Sequence, residues 1–556
     1  MSLRRYLIAP AILFAFAALT GCGSNGSGIT NPVAPPSGSF SNGSLMGTYV
    51  FSVSGSDSAG APYTLVGTFA ANGSGGITGG TYDMNDGQFP GSSIAPVADA
   101  SISGGNYAVQ VDGRTRVTLN ANTPFSGGGG ASGITLNLVL QNSSHGLVTQ
   151  FDVNATGSGT VDLQTAGATP TGTYAFSLSG ASVASGQPFA AVGNFAIGSS
   201  GIAGHADTND GAIAFYLDEP LTGSLSVGPS ANPATTLSAN GLSGTFDVFA
   251  IDATHLKFIE MDASNILVGD AYAQTSTAMP VGAQAFTLAG CLPCGSSPTP
   301  SAIGGFLVTD ANGNVTSSST QDFNVGGNLS STQASPTFSG TYTPVTSTTG
   351  RYQLGGFSSG FVGGTTWAAY PSSGGLLLLE MDNNGLNVGA AFAQTSGASF
   401  AASQGYGLNL TGANLSGLSS GGGLIEVDDI AEFTAATGGT LSNGVVDENY
   451  APSGNPNYGL GLSSGTYGGP DTSGRYSLSA AAGNNNNSTL NGGFNLFFYT
   501  VDGVSFPFIE MDSGQIATGV FVQQNASGAS SSAAIRSTMF MAPPIFRPHV
   551  LKKKQN

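Results

Sequence analysis

Three Glu-x-Asp pairs recur along this chain, Glu260-Met261-Asp262, Glu380-Met381-Asp382 and Glu510-Met511-Asp512. In a strand, residues i and i+2 share a face. Each pair therefore presents two carboxylates together, equipment for acid–base work or for holding a cation. The matching position earlier in the chain reads Gln150-Phe151-Asp152, so that copy has lost one carboxylate and could not do the same chemistry. Asp262, Asp382 and Asp512 each precede Asn- or Gly-rich turn residues. There an Asp accepts backbone N–H groups and fixes a hairpin, a structural use that competes with the catalytic one.

A second constellation is Asp-x-Asn, at Asp83 and Asn85, Asp207 and Asn209, Asp322 and Asn324, and Asp447 and Asn449. The first two continue into Asp-Gly, as in a fragment of a calcium loop. Hard cations want several oxygens on a tight turn, so calcium is the cofactor these residues would take. The distal Glu of a full calcium loop is missing, and Asx-turns explain the same residues with no ion. An acidic group at Glu426, Asp428, Asp429 and Glu432 offers a further cation candidate. Gly356-x-Ser358-x-Gly360, Gly417-x-Ser419-x-Gly421 and Gly461-x-Ser463-x-Gly465 match a hydrolase elbow by letters, without the strand–elbow–helix setting that gives the motif meaning. The four histidines, 145, 205, 255 and 549, show no metal-ligand spacing.

The elements that must carry these residues are strands. Apolar residues alternate in Tyr49-x-Phe51-x-Val53-x-Gly55, Tyr174-x-Phe176-x-Leu178-x-Gly180, Gln284-x-Phe286-x-Leu288-x-Gly290 and Tyr406-x-Leu408-x-Leu410-x-Gly412, the period of a strand with one buried face. No long segment beyond residue 21 keeps a helical period, and the 86 glycines interrupt nearly every candidate. After each final Asp a Gly follows at +7 (159, 269, 389, 519) and a Gln at +12 (164, 274, 394, 524). Four copies in one register define four units, 45–166, 170–276, 280–396 and 402–527. The expected fold is all-β: four tandem antiparallel meanders, each closing as a small barrel or sandwich. Gly113-Arg114, Gly350-Arg351 and Gly474-Arg475 fall where hairpin tips should lie, and the second unit lacks that Arg.

The first 21 residues have the plan of a secretory leader: Arg4 and Arg5, an apolar run from Tyr6 to Leu19, then Leu19-Thr20-Gly21-Cys22. The apolar run is short for a permanent span, which takes about 20 residues. Leu-Thr-Gly-Cys resembles the lipobox of bacterial lipoproteins. That resemblance implies lipidation of Cys22, membrane attachment through several acyl chains and, with Ser at position 24, an outer-membrane destination. Residues 22–44 are rich in Gly, Ser and Pro and read as a flexible tether; residues 528–556 read as a disordered basic tail. Export also bears on Cys291-Leu292-Pro293-Cys294, which lies in a loop after a strand and reads as a local disulfide.

Only 8% of residues are charged, against about 25% in an average soluble domain, and acidic residues outnumber basic ones 30 to 12. Between the tether and the tail the basic residues are Arg114, Arg116, Lys257, Arg351 and Arg475. Phosphate recognition needs basic groups, so nucleic acid is excluded as a partner. Repetition of a degenerate unit suits reach and avidity better than catalysis. The expectation is a membrane-anchored cell-envelope lipoprotein with a structural, adhesive or ligand-binding role toward a glycan or surface protein. The alternative is an exported carbohydrate-active or other hydrolytic enzyme using strand-end carboxylates such as Glu380 and Asp382.

Overall fold

A computed structural model describes residues 32–526, apart from 88–95, 123–131, 212, 227–234, 296–297, 331–333, 417–423, 452–455, 473 and 483–492. The fold is all-β, four antiparallel eight-stranded barrels in series. In each, the first strand pairs with both the second and the last, which closes the sheet and leaves no long free edge. The closing pairs are Met46–Asp57 with Ala155–Leu163, Gly172–Ser182 with Asn265–Ala273, Gly282–Cys291 with Leu386–Ala393, and Gln404–Asn414 with Gln515–Gln523. Barrels 1 and 3 carry one extra short strand each, Val97–Ile102 and Asn328–Leu329.

The alternation read from the first strands is the inside–outside alternation of the barrels. Tyr49, Phe51 and Val53 fill barrel 1, Tyr174, Phe176 and Leu178 fill barrel 2, and Tyr406, Leu408 and Leu410 fill barrel 4. In barrel 3 Gln284 stands where the Tyr would be, and its amide donates to Pro280 O and Thr309 Oγ1. The opposite faces of these strands are buried too, which a one-sided pattern does not suggest. Val50 packs with Phe249 and Ile259 of barrel 2. A larger apolar layer runs through Val139, Ala175, Ala285 and Ala413, and so contains residues of all four barrels.

The Gly at +7 has a steric reason. It lies directly across from the first strand: Val53↔Gly159, Leu178↔Gly269, Leu288↔Gly389 and Leu410↔Gly519. A Cβ at Gly159 would sit 1.6 Å from Ser52 O, and one at Gly519 would sit 2.1 Å from Asn409 O. Only glycine permits that approach of the two backbones.

The segment before barrel 1 departs from the expected tether. Phe40 is buried in the barrel 1 core, its N–H bonds Val111 O at 3.1 Å, and a short 3-10 turn spans Asn42–Ser44. One large apolar side chain in a Gly/Ser stretch is enough to pin it. Cys22, the leader and the tail 528–556 lie outside the described residues.

Candidate functional site

The Glu-x-Asp pairs sit at the ends of the strands His255–Glu260, Leu376–Glu380 and Ser505–Glu510. Each Asp is held by its own turn. Asp262 Oδ1 accepts Ser264 N–H at 2.8 Å, Asp382 Oδ1 accepts Asn384 N–H at 2.9 Å, and Asp512 Oδ1 accepts Gly514 N–H at 2.7 Å. Asp262 Oδ2 accepts Thr245 N–H at 2.8 Å, and Asp382 Oδ2 accepts Thr366 N–H at 3.0 Å.

The Glu of each pair is buried. Burial pushes Glu380 and Glu510 up to about 8 and Glu260 well above the carboxylate range, with the neighbouring Asp adding to the rise. Asn387 Nδ2 donates to Glu380 Oε2 at 2.6 Å, and Gln515 Nε2 donates to Glu510 Oε2 at 3.1 Å. In barrel 1 the same position is Gln150, whose Nε2 donates to Asp152 Oδ2 at 3.1 Å while its Oε1 accepts Tyr63 O–H at 2.8 Å. A neutral glutamic acid has the shape and donor capacity of that glutamine. Burial thus favours the protonated form of each Glu beside its turn Asp.

The Asp-x-Asn residues cross between barrels. Asn85 Nδ2 donates to Glu260 O, Asp262 O and Asn265 O at 2.9, 3.2 and 3.1 Å. Asn209 Nδ2 donates to Glu380 O and Gly385 O. Asn324 Nδ2 donates to Glu510 O, Asp512 O and Gln515 O. Asn449 of the last barrel donates to Gln150 O, Asp152 O and Ala155 O of the first. The four barrels therefore close head to tail into a ring, one asparagine clamping a Glu-x-Asp turn at three seams and the Gln150-Phe151-Asp152 turn at the fourth.

The Asp of each Asp-x-Asn pair works beside that clamp. Asp207 accepts Arg351 Nε at 2.7 Å and Nη2 at 2.5 Å from the next barrel, together with Tyr370 O–H at 2.6 Å. Asp322 receives Arg475 Nη1 at 2.8 Å and Tyr499 O–H at 2.9 Å. Asp447 accepts Asn137 Nδ2 at 2.9 Å, while Arg114 turns to Asp112 at 2.9 Å in its own barrel. Asp83 accepts Asp99 N–H at 2.7 Å. Of the residues expected as calcium ligands, the four asparagines spend their amides on the seams and Asp207, Asp322 and Asp447 their carboxylates, while Asp83 bonds within its own barrel. Among the described residues no group of three or more His, Cys, Asp or Glu side chains is arranged to hold a metal ion.

The Gln at +12 joins the same seams. Gln164 Nε2 reaches Ala250 O, Gln274 reaches Pro371 O, Gln394 reaches Thr500 Oγ1, and Gln524 reaches Asp112 O and Leu140 O. The acidic group of barrel 4 divides. Asp428 accepts Ser158 Oγ at 2.7 Å and Thr156 Oγ1 at 2.9 Å, and Glu426 accepts Ser56 Oγ, all from barrel 1. Asp429 is fully buried beside Glu448, Glu510 and Asp428, and burial first and then those charges raise it well above the carboxylate range.

One cluster was invisible in the spacing. His145 Nδ1 lies 2.6 Å from Asp162, His255 Nε2 lies 2.7 Å from Asp270, and Lys257 Nζ lies 3.0 Å from Asp270 and 3.9 Å from Asp162. This network fills the barrel 1–2 seam, the one whose second barrel lacks the hairpin Arg. Burial alone would raise Asp162, but His145 and Lys257 hold it at about 2. Cys291 and Cys294 form a disulfide. Ser358 lies in a turn, where its Oγ accepts Ser339 N–H; Ser419 is outside the described residues. Compared with known proteins, the chain matches no family model, no curated protein and no solved structure.

Proposed function

We propose that this protein is a lipid-anchored component of the bacterial cell envelope, attached through Cys22 and destined for the outer membrane, whose ring of barrels has a structural, adhesive or ligand-binding role. The observation that supports this most is the fate of the recurrent polar signature. Asn and Gln repeat because each seam repeats, with Asp–Arg pairs added at two of them, and a ring held at four seams is a rigid platform rather than a set of four catalytic clefts. Rigid scaffolds carry binding groups on their rims and loops. Radiolabelled palmitate fed to the native bacterium tests the anchor. Wild-type chain should take up label and sediment with outer membranes, and Cys22→Ala should do neither. Unlabelled, freely soluble wild-type chain would sink the anchor.

A hydrolytic reading draws on one feature. Glu380 and Asp382 lie side by side against Gly364, where a Cβ would lie 2.4 Å from Glu380 Oε1 and 2.5 Å from Asp382 Oδ2. An acid beside a carboxylate is the pairing that glycoside cleavage uses. Turnover of any neutral glycan that disappears in Glu380→Gln, with no loss of melting temperature, would establish this reading over the scaffold.

A further inference from the structure

The seam between barrels 4 and 1 also holds a cavity. A cleft of about 310 Å3 opens there, lined by Gln141, Asn142, Gln404, Gln523, Gln524 and Asn525, with Val504 at its side. Superimposing the repeats by their first-strand and final Asp registers shows what these residues replace. Gln404 stands where the other units have Gly47, Gly172 and Gly282. Gln523 replaces Leu163, Ala273 and Ala393, and Asn525 replaces Thr165, Thr275 and Thr395. From the facing barrel, Gln141 O accepts Asn525 N–H at 2.7 Å, as Ile251 O accepts Thr165 N–H and Val501 O accepts Thr395 N–H. Gln141 therefore replaces an aliphatic side chain. Four positions have changed to carboxamides around one opening, while the Gln at +12 has stayed.

The amides are arranged for use. Gln523 Nε2 donates to Gln404 Oε1 at 2.9 Å, which leaves Gln404 its two N–H groups. Asn142 Oδ1 is taken by Ser144 and His145, leaving its NH2. Gln141 and Gln524 are 1% and 0% exposed, yet Oε1 of each has no hydrogen-bond partner. A buried, unsatisfied amide oxygen costs about 1–3 kcal/mol, and either side chain turned toward the cleft would meet a ligand hydroxyl. Among the described residues no charged side chain lines this cleft.

We propose that this cleft binds a neutral saccharide. Carboxamides present paired donors and acceptors, which match vicinal hydroxyls, and the absence of a cation in the lining disfavours anionic sugars. The inference deepens the ligand-binding part of the proposed function and is independent of the lipid anchor.

The test uses the full chain with Cys22→Ala, titrated calorimetrically with cellotriose, maltotriose, xylotriose and chitotriose, and with trigalacturonate as the charged control. At least one neutral trisaccharide should bind, and trigalacturonate should not. Gln523→Ala with Asn525→Thr, the residues other barrels carry, should weaken binding by about tenfold or more. The melting midpoint of that variant should stay within a degree or two of the parent. Gln141→Ile should act the same way from the opposite barrel, which guards against misfolding of one variant. No binding by any neutral sugar, binding untouched by these changes, or preference for trigalacturonate would each overturn the assignment. Failure here leaves palmitate labelling unaffected, so the two readings fall separately.

Discussion

Asn85 of barrel 1 and Glu260 of barrel 2, 175 residues apart, are joined by a hydrogen bond of 2.9 Å from the amide Nδ2 to the backbone carbonyl. The same amide also reaches Asp262 O and Asn265 O, so one side chain gathers three carbonyls of a turn that belongs to another barrel. Both partners of that bond are buried. The relation returns at Asn324 with Glu510 and, closing the ring, at Asn449 with Gln150.

Removing such a clamp strands carbonyls that water cannot reach. Asn324→Ala should cost about 1–3 kcal/mol, and Asn324→Asp should cost more, because a carboxylate would then face three carbonyl oxygens. Urea denaturation measures both, with Asn324→Asp below Asn324→Ala in midpoint. Equal stability of the two variants would contradict the clamp geometry.

Arg351 and Asp207 form a buried bidentate pair between barrels 2 and 3, with side chains 2% and 0% exposed. Arg351→Met leaves Asp207 with Tyr370 O–H and Asp218 N–H but no cation to meet it. Breaking one side of such a pair costs about 3–5 kcal/mol, and the double change Arg351→Met with Asp207→Leu should recover most of it. Thermal melting of the singles and the double decides the matter; a double variant no better than the single refutes the pairing energy.

The buried glutamates make stability depend on pH in a direction opposite to an ordinary salt-bridged carboxylate. Glu380 holds its proton up to about 8 in the folded chain, against 4.5 for a free side chain. Below about pH 4.5 both states are protonated. As pH rises from there toward 8 the unfolded chain ionises first, so stability falls, by at most about 1.4 kcal/mol per pH unit for this group. Glu380→Gln should therefore match the wild type near pH 4.5 and melt higher than it near pH 8. Gln150→Glu should bring the same alkaline loss to barrel 1. Parallel melting curves at every pH would remove the neutral-acid assignment.

The glycine of the closing strand tolerates no side chain. A Cβ on Gly519 would lie 2.1 Å from Asn409 O and 2.3 Å from Phe508 Cζ. Gly519→Ala should destabilise by about 1–3 kcal/mol through overpacking, whereas Gly438→Ala, where a Cβ meets nothing within 4 Å, carries only the strain of its positive φ. Differential scanning calorimetry of the two variants should rank Gly519→Ala as the more damaging.

The sequence by itself determined the number of repeat units, their all-β class and the register of the repeat. Alternating apolar residues and a fixed Asp–Gly–Gln spacing are local patterns, and a strand declares its two faces within five or six residues. The turn role of Asp262, Asp382 and Asp512 was legible for the same reason, since each bonds a backbone N–H two residues on. What Asn85, Gln164 and Arg351 reach was not legible. Their partners lie 175, 86 and 144 residues away, and nothing in a local window says which barrel a side chain faces once its own barrel is closed. The network of His145, Asp162, Lys257 and Asp270 is likewise assembled from strands of two barrels that meet only because the seams bury both faces. Only the tertiary structure decided that the fourth barrel returns to the first. That closure rests on complementary surfaces at every seam, a property of the folded units together.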